Sequence, residues 1–411
     1  MNPVYNVLVY AVWFLSTYFV VVMMLTLFTH LDKLYEKRPA LTRFPAVTVI
    51  VPAYNEAGKI GDTIASLKNV VYPLIQYIIV NDGSKDSTSA EVRAAIGTDG
   101  RFTFIDREVN KGKAASLNEG IAQATGEFVA CMDADSIIEE HMFQKVLPYF
   151  DDGKVGAVTV TVELRHPKTI LHKIIDIEYT IGLSLFLKVY SLFNCVFVTP
   201  GPFSMYRKSL LDAIGGFDVK SIVEDHEIAF RVHKAGYTIA NCLEAKVMTI
   251  TPPTFHGIYV QRRRWYSGSV HTLFQHADVV FNKRFGVLGV FLPFNYLLIG
   301  SGIILFYLST YLSLKKFYEL FQNYWYIGFD AFDHLFRWNM DVLRTSQISI
   351  IGYIAFFSTI IVMVIGMLIT GKSFREKLVG VIGFPFMFFL YQIYWSGAIW
   401  AVIRRKTVKW R

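Results

Sequence analysis

Two hydrophobic patterns alternate along the chain. Four stretches, 5–29, 285–314, 345–371 and 378–403, contain no Asp, Glu, Lys, Arg or His, and each exceeds the ~20 apolar residues that a helix needs to cross a bilayer. The first lacks a basic leader and a small-residue cleavage site, so it reads as a retained anchor and not as a signal peptide. Between the first two stretches the pattern changes to short β-rich runs separated by helical periodicity. Strands are expected at 46–51, 75–80, 102–106, 127–132 and 155–160, with helices near 59–68, 86–95, 114–124 and 139–149. That order predicts an α/β domain, a parallel-type sheet with helices on both faces. The chain divides into an anchor (1–35), a globular domain (36–284) and a C-terminal bundle of about three spans (285–411).

Residues 168–198 fit neither pattern cleanly. They are apolar but interrupted by Lys173, Asp176, Glu178 and Lys188, with Ile170, Ile174, Ile177 and Ile181 on one helical face. An amphipathic helix at the membrane interface and an ordinary core-facing helix both satisfy this pattern.

Composition supports the membrane reading. Of 411 residues, 53% are hydrophobic and 18% charged, and mean hydropathy is +0.37, too apolar for a compact soluble protein. Cys131, Cys195 and Cys242 form neither a disulfide framework nor a zinc-type spacing. The net charge of +8 lies largely beside apolar stretches, as membrane lipids and diphosphates favour. Without a basic-aromatic nucleic-acid module, no nucleic acid is expected as partner.

Orientation follows the basic residues. Lys33, Lys37, Arg38 and Arg43 follow the first stretch, and Lys283 and Arg284 precede the second, whereas residues 1–4 carry no charge. The globular domain is therefore expected in the cytoplasm, at the cell membrane. Lys372, Arg375 and Lys377 place the 372–377 loop on the same side. Four spans would put the basic tail Arg404–Arg411 outside. Either the tail departs from the rule or one stretch does not cross.

Ligands of parallel α/β sheets bind beyond the carboxyl ends of the strands. The loops there read PAYNEAG (52–58), NDGSKDS (81–87), NKGKAASLN (110–118) and DADS (133–136). They bring Tyr54, Glu56, Asp82, Lys113, Asp133 and Asp135 to one edge: a ring to stack, acids for ribose and metal, and an ammonium for phosphate. Singly, the 81–84 segment also reads as a turn, and Asp135 or Ser136 as a helix cap. Asp133 and Asp135 supply hard oxygen ligands for Mg2+ or Mn2+, which would bridge a diphosphate. VEDHEIAFRVHKAGY (223–237) reads as a helix opened by Glu224 and Asp225, Asp225 being either a general base or an N-cap. In QRRRW (261–265), Gln261 and Trp265 are one helical turn apart and Arg264 adjoins the indole. A sugar can pack on the ring while guanidinium holds diphosphate; the other reading is a basic-aromatic anchor to headgroups.

Taken in order with GPFSMYRKS (201–209), these motifs resemble the processive membrane family 2 glycosyltransferases. That group includes the poly-N-acetylglucosamine, hyaluronan, chitin-oligosaccharide and cellulose synthases. The resemblance runs from residue 46 through the C-terminal spans. It implies a GT-A-type nucleotide-sugar-binding domain inserted between membrane helices. It also implies a uridine pocket at Tyr54, Glu56 and Asp82, with Lys113 approaching the nucleotide and Asp133 and Asp135 as donor-binding and metal carboxylates. Asp225 would be the catalytic base, and Gln261, Arg264 and Trp265 would hold the diphosphate and form the acceptor entrance. Val223 departs from the usual threonine of the T-E-D motif, which bears on fine specificity rather than on the chemistry.

The implied reaction is inverting, metal-dependent transfer from a UDP-sugar donor, UDP-N-acetylglucosamine foremost, to a growing β-linked polysaccharide exported through the bundle. A small membrane partner subunit is compatible with it. The rivals are a non-processive transferase acting on a polyprenyl-phosphate or glycolipid acceptor, and a catalytically silent export subunit.

Overall fold

A computed structural model describes residues 3–34, 41–326 and 347–404. Lys37 and Arg38, the start of the 345–371 stretch, and the tail beyond Arg404 lie outside the described residues. Helix α1 (Pro3–Thr29) covers the first apolar stretch, with a short α2 (Leu31–Leu34) behind it. Then β1 (Val47–Ala53), α3 (Ile60–Lys68), β2 (Ile75–Asp82), α4 (Thr88–Ile96), β3 (Phe102–Arg107), α5 (Lys113–Gln123) and β4 (Phe128–Cys131) follow the expected alternation. Next come β5 (Ile137–Ile138), α6 (Met142–Val146), β6 (Val155–Leu164), α7 (Ile170–Tyr179) and α8 (Leu187–Leu192). The domain closes with β7 (Ser204–Arg207), α9 (Lys208–Ile214), α10 (Glu224–Lys234), β8 (Thr238–Thr249) and α11 (Phe255–Gln275). Helices α12 (Gly286–Tyr326), α13 (Gln347–Ile369) and α14 (Phe374–Ile403) form the C-terminal bundle.

The strands make one sheet in the order β3-β2-β1-β4-β7-β6-β8-β5. Pairing is parallel among β1, β2, β3 and β4, and β8 runs parallel to β6. The sheet is mixed because β7 pairs antiparallel with both β4 and β6. Its direction follows from its entry: the chain reaches Ser204 directly from Gly201, which stands beside Asp133 at the site edge, so β7 must run back from it.

Every residue of β1 is buried, as expected where helices cover both faces. Alternate side chains feed two cores, Val49 and Val51 on one side and Ile50 on the other. A Cβ on Gly120 of α5 would overlap Ile50, so only glycine allows this helix to lie so close to the strand.

The 168–198 stretch is sandwiched. From α7 it continues as a π-helical segment, Thr180–Phe186, into α8. Ile175 and Tyr179 enter the core shared with β1, while Ile174 and Ile177 press against Gly383 and Gly380 of α14. Three of the interrupting charges have partners in that setting. Asp176 pairs with Lys377 at 2.6 Å, Glu178 with Arg262 at 2.9 Å, and Lys188 donates to the Asn241 carbonyl at 3.0 Å.

Among the described residues, three helices are long and apolar enough to cross a membrane: Tyr5–Thr29, Lys283–Asn323 and Lys377–Ile403. Within α13 the described apolar run, Phe356–Ile369, is shorter.

Candidate active site

All four strand-end loops open into one cavity of about 830 Å³, together with the N-terminus of α10 and one face of α11. Tyr54 and Glu56 line it from the loop after β1, Asp82 from the end of β2, Lys113 from the start of α5, and Asp133 and Asp135 from the loop after β4. Asp225 reaches it from α10, and Gln261, Arg264 and Trp265 from α11. Ten residues spread over more than two hundred positions thus face one space. Thr254 starts α11 by accepting the Gly257 N–H at 3.1 Å, a capping bond that fixes where this helix begins.

The loops brace one another. Asp82 accepts the N–H groups of Lys111 (2.9 Å) and Gly112 (2.8 Å) and pairs with Arg107 at 2.9 Å, so it holds the glycine loop in place. Gly83 has φ +70° and a Cβ there would stand 2.8 Å from the Asn110 nitrogen. The 81–84 segment is therefore more than a free turn: Asn81 and Asp82 belong to β2, and glycine is needed for close approach of two backbones. Glu56 pairs with Lys59 at 2.7 Å.

Lys113 is the hub. Its ammonium lies 2.6 Å from Asp133 and 2.8 Å from Glu224. Burial pulls its pKa down, but Asp133, Glu224 and Asp225 outweigh that and hold it above the ordinary lysine value. Glu224 was not singled out as a site residue; the signal was its place beside Asp225 in the VED motif. Gly201 was also missed as a geometric requirement, although its motif was seen. A Cβ there would stand 2.8 Å from both the Lys113 ammonium and an Asp133 oxygen. Gly201→Ala should therefore displace this pair and lower kcat/KM for the donor about 10- to 100-fold, with the fold intact by circular dichroism. Unchanged donor kinetics would show that the pair has room to move.

Asp225 is not the cap of α10. The helix begins at Glu224, the residue before it is Val223, and no side chain caps it. Burial first, and then the charge of Glu224, push the Asp225 carboxyl up to about 6, against Lys113 and Arg264. A carboxylate so placed is a stronger base than an ordinary aspartate. Its neighbour His226 also lines the cavity; burial, and then His276, depress its pKa to about 3, so this imidazole is neutral at physiological pH.

Asp135 caps no helix either, since the next one begins at Met142. Burial, then Asp133 and Glu56, push its carboxyl up to about 7. Lys113 pairs with Asp133, whereas Asp135 is left repelled by its neighbours, and the hard oxygens of the two carboxylates suit Mg2+ or Mn2+. Among the described residues no group of three or more His, Cys, Asp or Glu side chains is within metal-binding reach. Asp133 and Asp135 would hold such a cation only with further ligands from outside the described protein groups.

Trp265 lies at the junction with a second cavity of about 1210 Å³, bounded by α1, α7, α12 and α14. Tyr179, Trp265, Tyr266, Asn295 and Trp395 line both cavities. Tyr266 and Trp395 stack at 4.3 Å with their planes 5° apart. Sequence reading missed Trp395, which sits in an apolar stretch without local signal.

A mixed sheet whose strand-end loops gather an acidic pair, a lysine and aromatic rings defines a GT-A glycosyltransferase fold. Residues 48–215 match the model of Glycosyl transferase family 2. The poly-beta-1,6-N-acetyl-D-glucosamine synthase of Staphylococcus epidermidis is 35% identical over 228 residues, 55% of this chain and 55% of that protein. That of Staphylococcus aureus (strain MSSA476) is 32% identical over 273 residues, 66% of each. The match thus spans little more than half the length of the first of these relatives. A mannosyltransferase from Pyrobaculum calidifontis, solved in complex with GDP-Man and Mn2+, superposes with TM-score 0.54 at 20% identity, covering 77% of this chain and 94% of that one. It shares the fold.

Proposed function

We propose that this chain is an inverting, metal-dependent hexosyltransferase that polymerises a UDP-activated sugar, UDP-N-acetylglucosamine, into a β-linked polysaccharide and passes it across the membrane. The observation that carries this reading is that the two cavities adjoin at Trp265 and share its side chain as lining. The membrane cavity follows one face of α12 from Asn295 to Phe317, roughly 33 Å along a helix, enough to traverse the ~30 Å hydrocarbon core. Ser16, Ser309, Thr310, Ser313 and Gln392 line it, which suits a hydroxyl-rich chain. The names of the staphylococcal relatives supply the sugar.

Tyr54, Glu56 and Asp82 bound the end of the cavity that takes the nucleoside, and Lys113 and Arg264 face the diphosphate. Asp133 and Asp135 would hold Mg2+ or Mn2+, which supplies Lewis-acid stabilisation of the departing diphosphate. Asp225 takes the proton of the acceptor hydroxyl as its oxygen attacks the anomeric carbon opposite the leaving UDP, and one displacement inverts that centre. Gln261 lines the cavity on the same helix as Trp265 and has a buried carbonyl oxygen with no partner in the protein, an acceptor for a sugar hydroxyl. Lys33, Lys283, Arg284 and Lys372 flank the apolar helices on the side of the catalytic domain, which supports a cytoplasmic site.

The test is purified protein in detergent with individual UDP-sugars and Mn2+ or Mg2+, UDP release and product size being measured. Release of UDP with a polymer only from UDP-N-acetylglucosamine is expected; a single sugar added to a lipid, and no polymer, would overturn the reading. Trp265→Ala should lose ~1–3 kcal/mol of sugar packing, by analogy with stacking on aromatic platforms, and make little polymer while UDP binding is retained. Trp265→Phe should be milder. A Trp265→Ala protein that leaves the membrane fraction yet has normal activity in detergent would make Trp265 an anchor instead.

A further inference from the structure

The three consecutive arginines do not share one environment. Arg264 faces the catalytic cavity, whereas Arg262 is 2% exposed and lines only the membrane cavity, together with Glu178. These two meet at 2.9 Å, joining α11 to α7 across 84 positions. The Arg262 guanidinium carbon lies 4.2 Å from the centre of the Trp265 ring and 5.6 Å from that of Tyr179. Both rings belong to the junction between the cavities. Arg262 and Trp265 are three residues apart, neighbours on the helix surface.

A buried ion pair is a poor source of stability, because desolvation offsets most of its attraction and well-packed apolar replacements often do as well. Its geometry is what it offers. A planar guanidinium, fixed at one end by a carboxylate, lies against an indole face and restricts how that indole can turn.

We propose that the Glu178–Arg262 pair is a positioning device for Trp265, setting the indole at the passage from catalytic to membrane cavity, and so controls the grip on the β-linked N-acetylhexosamine chain and the product length. The pair acts on the chain and leaves the donor untouched, since neither residue lines the catalytic cavity. This rests on the polysaccharide-synthase reading above.

The test uses the full-length protein in detergent, titrated with a short β-linked N-acetylglucosamine oligosaccharide and, separately, with UDP. Glu178→Gln and Arg262→Lys should each weaken oligosaccharide binding about tenfold and shorten the polymer, with UDP affinity within about twofold of wild type. The double variant Glu178→Leu/Arg262→Met should recover the thermal stability of wild type but not its oligosaccharide affinity, whereas a merely structural pair would recover both. Folded single variants that bind the oligosaccharide as wild type does, or that lose UDP and oligosaccharide affinity equally, overturn the proposal. So does a double variant with wild-type product length. Wild type that releases UDP from no UDP-sugar and binds no oligosaccharide overturns the synthase reading itself, a distinct result, and the proposal with it.

Discussion

Asp225→Asn is expected to abolish polymer formation while UDP-sugar binding stays close to wild type. The carboxamide has almost the shape of the carboxylate but accepts no proton, and loss of a general base typically costs ~10²–10⁴ in rate. Stability should not fall, because Asp225 is a buried carboxylate beside Glu224 whose ionised form is disfavoured, and the substitution removes that repulsion. The pH profile supplies an independent check. With its carboxyl pushed up to about 6, the base is ionised above that pH and protonated below it. In wild type at saturating Mn2+, kcat/KM for the donor should rise about tenfold per pH unit below that point and level off above it, since this parameter reports the free enzyme. A profile already level at pH 5, or near-normal turnover in Asp225→Asn, would remove Asp225 from the base role.

The first half of the sheet was legible because its signals are local. Runs such as AVTVIV and IQYIIV are β-rich and closed by Asn, Asp and Gly, so strand and loop can be read from a few neighbouring residues. The chain that joins β7 to the sheet offers no such signal: SMYR pairs with β4 and β6 after the chain has passed Gly201 at the site edge. Long-range ion pairs are equally silent. Lys113 read as a phosphate ligand, and nothing in its surroundings announced Glu224 as a second partner. Likewise QRRRW read as one basic cluster, but a helix turns ~100° per residue and so divides it, leaving Arg264 at the catalytic cavity and Arg262 in the interior. The two readings of Asp225 could be separated only by the start of α10, two residues earlier than a cap at Asp225 would require.

Asp135→Ala should remove activity and metal binding together while the fold survives. Asp135 is buried beside Asp133 and Glu56, and these push its carboxyl up to about 7, so deletion relieves repulsion within the apo protein and should not lower its melting temperature. What it loses is a hard oxygen ligand. Lewis-acid stabilisation of a leaving phosphate is worth several kcal/mol, and at ~1.4 kcal/mol per factor of ten the rate should drop on the order of 10³-fold. Metal binding has a readout of its own. With UDP present, Mn2+ should raise the melting temperature of wild type with the logarithm of its concentration once that exceeds Kd, and the variant should show no such rise. The sign of the pH effect follows from the same carboxyl. A proton must leave Asp135 before a cation can take its place, so apparent Mn2+ affinity should weaken as pH falls below about 7 in wild type. Wild-type turnover that persists in excess EDTA with no bound metal, or an Asp135→Ala protein stabilised by Mn2+ as strongly as wild type, would remove the metal from Asp133 and Asp135 and leave Lys113 and Arg264 as the charges that meet the diphosphate.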